Sequence, residues 1–204
     1  MAELTFETMT WPLLREKHGI QVQGAPNLLG GRPPVEPSAI LTGQLKRARH
    51  ARLPNERARA YRFIDPVLSE IEELRRGKIV TLPEIPIEVV GAEGLRGIPD
   101  FILSAGPSYE VVPIVSIVEA KQENIETGLA PCAAELYAAH LLNHSKMPKV
   151  YGCVTTGIEW RFLCLDGNAK IAHVDDEVYL VSEIDRLLGA FCSIIDESLA
   201  ALGL

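Results

Sequence analysis

No apolar run in this 204-residue chain approaches the roughly 18 residues that cross a bilayer as a helix, so no membrane span is expected. Cysteine is sparse and scattered. Cys132, Cys153, Cys164 and Cys192 form no Cys-x-x-Cys, which argues against a zinc ribbon and against a redox pair. Three of the four lie in apolar context, as reduced core thiols do. The first residues, Met1-Ala2-Glu3-Leu4-Thr5-Phe6-Glu7, are acidic and have neither the basic nor the apolar region of a signal peptide, so a cytoplasmic location is expected. Gly30-Gly31-Arg32 is not a phosphate loop, because no strand pattern precedes it and no Gly-Lys-Ser/Thr follows. Internal repeats and low-complexity stretches are absent.

What is present suits a soluble enzyme-sized domain. With 47% apolar and 23% charged residues, the chain can bury a sizeable core, and residues 1–204 are expected to form one domain. The net charge of −7 is unevenly spread. Residues 44–62 hold Lys46, Arg47, Arg49, Arg52, Arg57, Arg59 and Arg62 against the single acid Glu56, a net +6 that leaves −13 for the rest. Lys46, Arg47, Arg49 and Arg52 are therefore candidates for contact with nucleic-acid phosphates through counterion release. The plainer reading is a solvated arginine-rich face paired with nearby carboxylates.

Periodicity outlines the elements. Residues 4–19 suggest a short helix or an irregular stretch, and Gly24 to Pro37 is rich in Gly and Pro, so residues 1–40 are expected to form an arm. A helix is predicted from Asn55, a good N-cap, to Arg76, with Pro66 kinking or dividing it. A strand broken by Pro83 and Pro86 spans Ile79 to Val90. Asn124 to Asn143 reads as a helix, Val150–Thr155 and Trp160–Leu165 as a hairpin, and Lys170–Val174 as a strand. The region 180–204 closes the chain with a helix from about Ser182 to Leu202 that carries a long apolar stripe. Such a stripe must be covered, by the chain's own sheet or by a second copy. A homodimer using this helix or the N-terminal arm is the expectation. The order of elements favours an α/β (α+β) fold with a mixed central sheet flanked by helices.

The most informative stretch is Gly97 to Gln122. Pro99-Asp100 opens one apolar strand, Phe101-Ile102-Leu103, and a second, Ile114-Val115-Ser116-Ile117-Val118, ends in Glu119-Ala120-Lys121. Side chains alternate along a strand, so Glu119 and Lys121 point the same way. Paired as a hairpin, the two strands bring Asp100 beside Glu119 with the ammonium of Lys121 near both. Charges at the end of a wholly apolar strand need partners or a metal. Two carboxylates and one ammonium suit a hard divalent cation and a phosphate, the chemistry of phosphodiester cleavage. Taken alone, a Glu-x-Lys is more often a solvated strand edge.

With Pro99-Asp100 and Glu119-Ala120-Lys121 in this arrangement, the chain resembles the PD-(D/E)XK nuclease superfamily, the restriction-endonuclease-like fold, whose αβββαβ core would span about residues 55–165. Many members contribute a glutamate from the first helix, and Asn55-Glu56-Arg57 with Tyr61 to Leu68 looks like that segment. The hairpin from Gly152 to Trp160 is similar to the strand pair that follows the second core helix. One feature departs from some branches: they carry a glutamine four residues before a tyrosine on that helix, and here Ala133 precedes Tyr137.

The resemblance implies a nuclease hydrolysing DNA phosphodiester bonds with Mg²⁺ or Mn²⁺. Asp100 and Glu119 would supply carboxylates to the metal, the Ala120 carbonyl a third oxygen, and Glu56 a fourth directly or through water. Lys121 would orient the attacking water or stabilise charge on the phosphate, and Gln122 would hold a water or phosphate oxygen. Glu135, Tyr137 and His140 would line the cleft if their helix faces the hairpin. His140 and His144 have zinc-ligand spacing, but no Glu follows His140 and no third ligand is evident. The opposed reading is a non-cleaving nucleic-acid-binding or assembly module that retains the nuclease scaffold. Retention of all three charges together argues against it.

Overall fold

The structure is a computed structural model that describes residues 4–51, 55–106 and 110–204. Helix α1 (Trp11–His18) starts behind Thr10, whose hydroxyl accepts from Leu13 N, and ends at Gly19 in the left-handed conformation that favours glycine. Strand β1 (Gln21–Ala25) and helix α2 (Ala39–Ala48) follow. Ser38 caps α2, its Oγ accepting from Leu41 N at 3.1 Å. The helix expected from residue 55 to 76 is built of α3 (Glu56–Arg59), a π-helical turn (Ala60–Ile64) and α4 (Asp65–Leu74). Pro66 lies in the first turn of α4, where proline is tolerated.

Then come β2 (Ile79–Pro83), β3 (Ile87–Glu88), β4 (Arg96–Gly97), β5 (Phe101–Ala105), β6 (Ile114–Ala120), α5 (Glu126–Leu142), β7 (Lys149–Thr155), β8 (Glu159–Asp166), β9 (Ile171–Asp175), β10 (Tyr179–Leu180) and α6 (Ile184–Leu202). The central sheet runs β1-β9-β8-β7-β6-β5-β2, with β10 added to β8, and β3 pairs only with β4. It is mixed: β6 and β7 are parallel, as are β1 and β9, while the other pairs are antiparallel. The run α4, β2, β5, β6, α5, β7 has the αβββαβ order expected from the sequence.

β6 is rich in Ile and Val, buried at every position and flanked on both sides by strands, so its residues feed two cores. Val115 and Val118 join α2, α4 and α6 on one face; Ile114 and Ile117 join α5, α1 and the Phe6–Thr8 helical turn on the other. Because α5 is covered by the sheet and by this N-terminal segment, Gly128 to His140 is buried without interruption. Asn143, just past α5, accepts from Ile114 N and donates to Ile114 O, both at 2.8 Å, and so pins the start of β6 to the end of the helix.

β1 and α2, like the two-residue strands β4 and β10, are absent from the sequence reading. β1 is a polar, exposed five-residue edge strand containing glycine, and α2 lies where the basic residues mask the spacing of Leu41, Leu45 and Ala48. The apolar stripe of α6 is covered by the chain's own sheet. The arm is also used internally: Val35 N donates to Asp185 O at 2.9 Å, Arg32 pairs with Glu197, and Pro33 O lies where a Cβ on Gly189 would stand. These contacts of α6 and of the arm are made within one chain. No described helix is long and apolar enough to cross a membrane.

Candidate active site

The antiparallel register of β5 on β6 pairs Phe101 with Val118, and one step further sets Asp100 opposite Glu119. Asp100 Oδ2 accepts from Ala120 N at 2.7 Å. The β6–β7 ladder continues one residue past the strand, with Lys121 N donating to Thr155 O at 2.8 Å. That bond keeps Lys121 in strand phase, so its side chain lies on the face of Glu119, and Lys121 Nζ stands 2.6 Å from Glu119 Oε1. Asp100, Glu119 and Lys121 therefore converge at the carboxyl end of β6, as their spacing predicts.

Burial dominates the electrostatics. Glu119 is 5% exposed, and desolvation, followed by repulsion from Asp100, pushes its carboxyl up to about 7 despite Lys121. Desolvation also raises Asp100, opposed by its bond from Ala120 N and by the charge of Lys121. Glu119 faces the α5 side of the sheet, where it meets Glu135. That residue is buried, its Oε2 has no hydrogen-bond partner, and burial and then Glu119 push its carboxyl well up.

A cleft of about 560 Å³ beside this cluster is lined by Arg57, Tyr61, Asp65, Glu84, Asp100 and Ala120 among others; of the three central residues only Asp100 lines it, since Glu119 and Lys121 lie toward α5. Glu84 and Asp65 are missed by sequence reasoning. Glu84 sits between Pro83 and Pro86 in what reads as a broken strand; its φ of 51° is unusual for a residue with a side chain, and it pairs with Arg57 at 3.1 Å. Asp65 stands before Pro66 in an apparent helix interior, and desolvation raises its carboxyl. Gly128 also escapes notice. A Cβ there would lie 2.6 Å from Val154 Cγ1 and 2.9 Å from Lys121 Cε, so only glycine lets the lysine stem cross α5 at this point.

The remaining sequence candidates are more dispersed. Glu56 opens α3, but its side chain lies outside the described residues, as does Arg52. Gln122 is exposed just beyond Lys121. Lys46, Arg47 and Arg49 are exposed on and after α2 and take part in no ion pair among the described residues. His140 is a core residue: its Nδ1 lies 3.0 Å from Met147 O, and its ring stacks on Tyr137. All four cysteines are buried and free.

A hard cation fits the donor set. Asp100 and Glu119 set two carboxylates side by side, and a Glu135 carboxyl oxygen without a hydrogen-bond partner lies behind them, a hard-oxygen donor set of the kind a divalent cation would suit. Among the described residues no group of three or more His, Cys, Asp or Glu is arranged around one metal position. The protein share would thus be Asp100, Glu119 and the Ala120 carbonyl, with water and phosphate completing the shell, a division common for Mg²⁺.

No protein-family model and no curated protein matches the chain. Among solved structures, the type IIG restriction endonuclease BpuSI is similar, with a TM-score of 0.44 and 18% identity over 68% of this chain. The match covers 16% of that enzyme's chain.

Proposed function

We propose that this chain is a divalent-metal-dependent nuclease that hydrolyses phosphodiester bonds in DNA. The observation that carries the reading is the meeting of Asp100, Glu119 and Lys121 at one sheet end, with Glu119 buried and Asp100 and Lys121 half-buried where charges otherwise cost free energy.

Asp100 and Glu119 would hold Mg²⁺ or Mn²⁺ with the Ala120 carbonyl. When bound, such an ion polarises the scissile phosphate and lowers the pKa of a coordinated water. The chain's own residues do the rest. Asp100 Oδ2 is fixed by Ala120 N. Glu119 Oε1 holds the Lys121 ammonium in place, and Gly128 fixes the path of its stem. That ammonium orients the attacking water and offsets negative charge building on the phosphate oxygens. Glu135, behind Glu119, limits the positions its carboxylate can take. All three central residues come from one chain, so the site needs no second copy.

Incubation with supercoiled, linear and single-stranded DNA and with RNA, each with Mg²⁺, Mn²⁺ or EDTA, tests the reading. Metal-dependent cleavage of a DNA substrate is expected. Calorimetric binding of Mn²⁺ without cleavage of any substrate would favour the non-cleaving module instead.

A further inference from the structure

An exposed aromatic at the lip of the cleft indicates which form of DNA this site takes, an inference that rests on the nuclease reading. Tyr61 is 68% exposed although its neighbours Phe63 and Ile64 are buried. It belongs to the π-helical turn Ala60–Ile64, closed by the Asp65 N to Ala60 O bond across five residues. Single π turns inside α-helical segments re-aim side chains and recur at functional sites. Here the turn carries Tyr61 onto the wall between two clefts. One is the cleft of Asp100 and Ala120; the other, about 270 Å³, is lined by Gln44, Arg47, Tyr61 and Arg62 among others. The Arg62 guanidinium lies 5.6 Å from the Tyr61 ring centroid and braces one side of it. Arg47 and Arg62 are exposed and form no ion pair among the described residues.

We infer that Tyr61 is a stacking platform for an unpaired base, with Arg47 and Arg62 holding the adjoining backbone phosphates, so that the DNA entering the cleft of Asp100 and Ala120 is single-stranded. A flat exposed ring beside two guanidinium groups is the arrangement that grips single strands, since every base offers a π face. Bases in a duplex have both faces covered by their neighbours and cannot use it without unstacking.

Fluorescence anisotropy with a labelled oligonucleotide, single-stranded or as a blunt duplex, tests this with Ca²⁺ replacing Mg²⁺ to suppress cleavage. Wild type should bind the single strand more tightly than the duplex. Tyr61→Ala should weaken single-strand binding by about 5- to 150-fold, the loss of one base–aromatic stack, and Tyr61→Phe should restore it. Duplex binding should not change. Thermal melts of both variants should match wild type, because the ring is exposed. Equal affinity for the two DNA forms, no binding to either, or an unaltered Tyr61→Ala variant overturns the inference. Cleavage by wild type with unaltered Tyr61→Ala binding removes this inference and spares the nuclease reading. The expected binding pattern without cleavage does the reverse.

Discussion

Asp100 Oδ2 accepts a 2.7 Å hydrogen bond from Ala120 N, so the residue leading into β5 is tied to the residue that ends β6. One carboxylate thus does two things: it closes the sheet end and it contributes charge to the cleft. Asp100→Asn keeps an acceptor for Ala120 N and removes the repulsion with Glu119. Its melting temperature in EDTA should rise, whereas Asp100→Ala should gain less, because it also leaves a buried N–H unpaired. Both should lose Mn²⁺ binding by calorimetry. A lower melting temperature for Asp100→Asn would contradict the assigned electrostatics.

Glu119 sets the pH response. Its carboxyl in the folded protein is pushed up to about 7 from an ordinary 4.5, so folding favours the protonated form. The stability this gives is full below about 4.5 and is lost as pH rises through about 7, a change of up to about 3 kcal/mol. Melts of the metal-free protein should therefore fall between these values, and Glu119→Gln should flatten the fall. Saturating Mg²⁺ should reverse it, since a cation binding only the folded, ionised form stabilises it. Cleavage should increase over the same interval as Glu119 ionises.

Gly128→Ala places a methyl group against Val154 and the stem of Lys121. Alanine favours helices over glycine by up to about 1 kcal/mol, but overpacking costs about 1–3 kcal/mol and should prevail. The cleavage rate should drop while DNA affinity stays the same, because the displaced group acts on the reacting phosphate. Single-turnover kinetics beside anisotropy separate the two quantities; a purely structural glycine would leave the rate of the folded fraction unchanged.

Neutralising Lys46, Arg47 and Arg49 should weaken DNA binding and reduce its salt slope by roughly 0.7 to 0.9 per phosphate contact removed. The titration is run with several unrelated sequences, and the loss should be the same for each. A slope equal to that of wild type would assign these exposed side chains to solvent alone.

The site was legible where its chemistry follows chain periodicity. Glu119 and Lys121 share a face because strands alternate, and Asp100 meets them because β5 and β6 pair as antiparallel neighbours. The αβββαβ order was equally readable, from the apolar stripe of α4 and the nearly continuous apolar runs of β5, β6 and β7. What stayed hidden depends on contacts distant in sequence. Glu135 looks like any polar residue on a helix until α5 is seen to be covered on both sides. Gly128 matters only because Lys121 passes over it, and Glu84 only because β2 ends beside Asp100. β1 has no apolar face of its own and exists because β9 offers it an edge. The stripe on α6 was read correctly as needing cover, but periodicity does not say whether a sheet or a second copy supplies it.

Cleavage of DNA, offered both single-stranded and as supercoiled plasmid, by wild type, Glu119→Gln and Lys121→Ala, each with Mn²⁺ and with EDTA, tests the central claim most directly. Wild type should cut the single strand only with the metal, Glu119→Gln should be inactive, and Lys121→Ala should be slowed by at least about 10²-fold, with all three folded by circular dichroism. Undiminished cleavage by either variant, or cleavage of neither DNA by a wild type that binds Mn²⁺, would contradict the account.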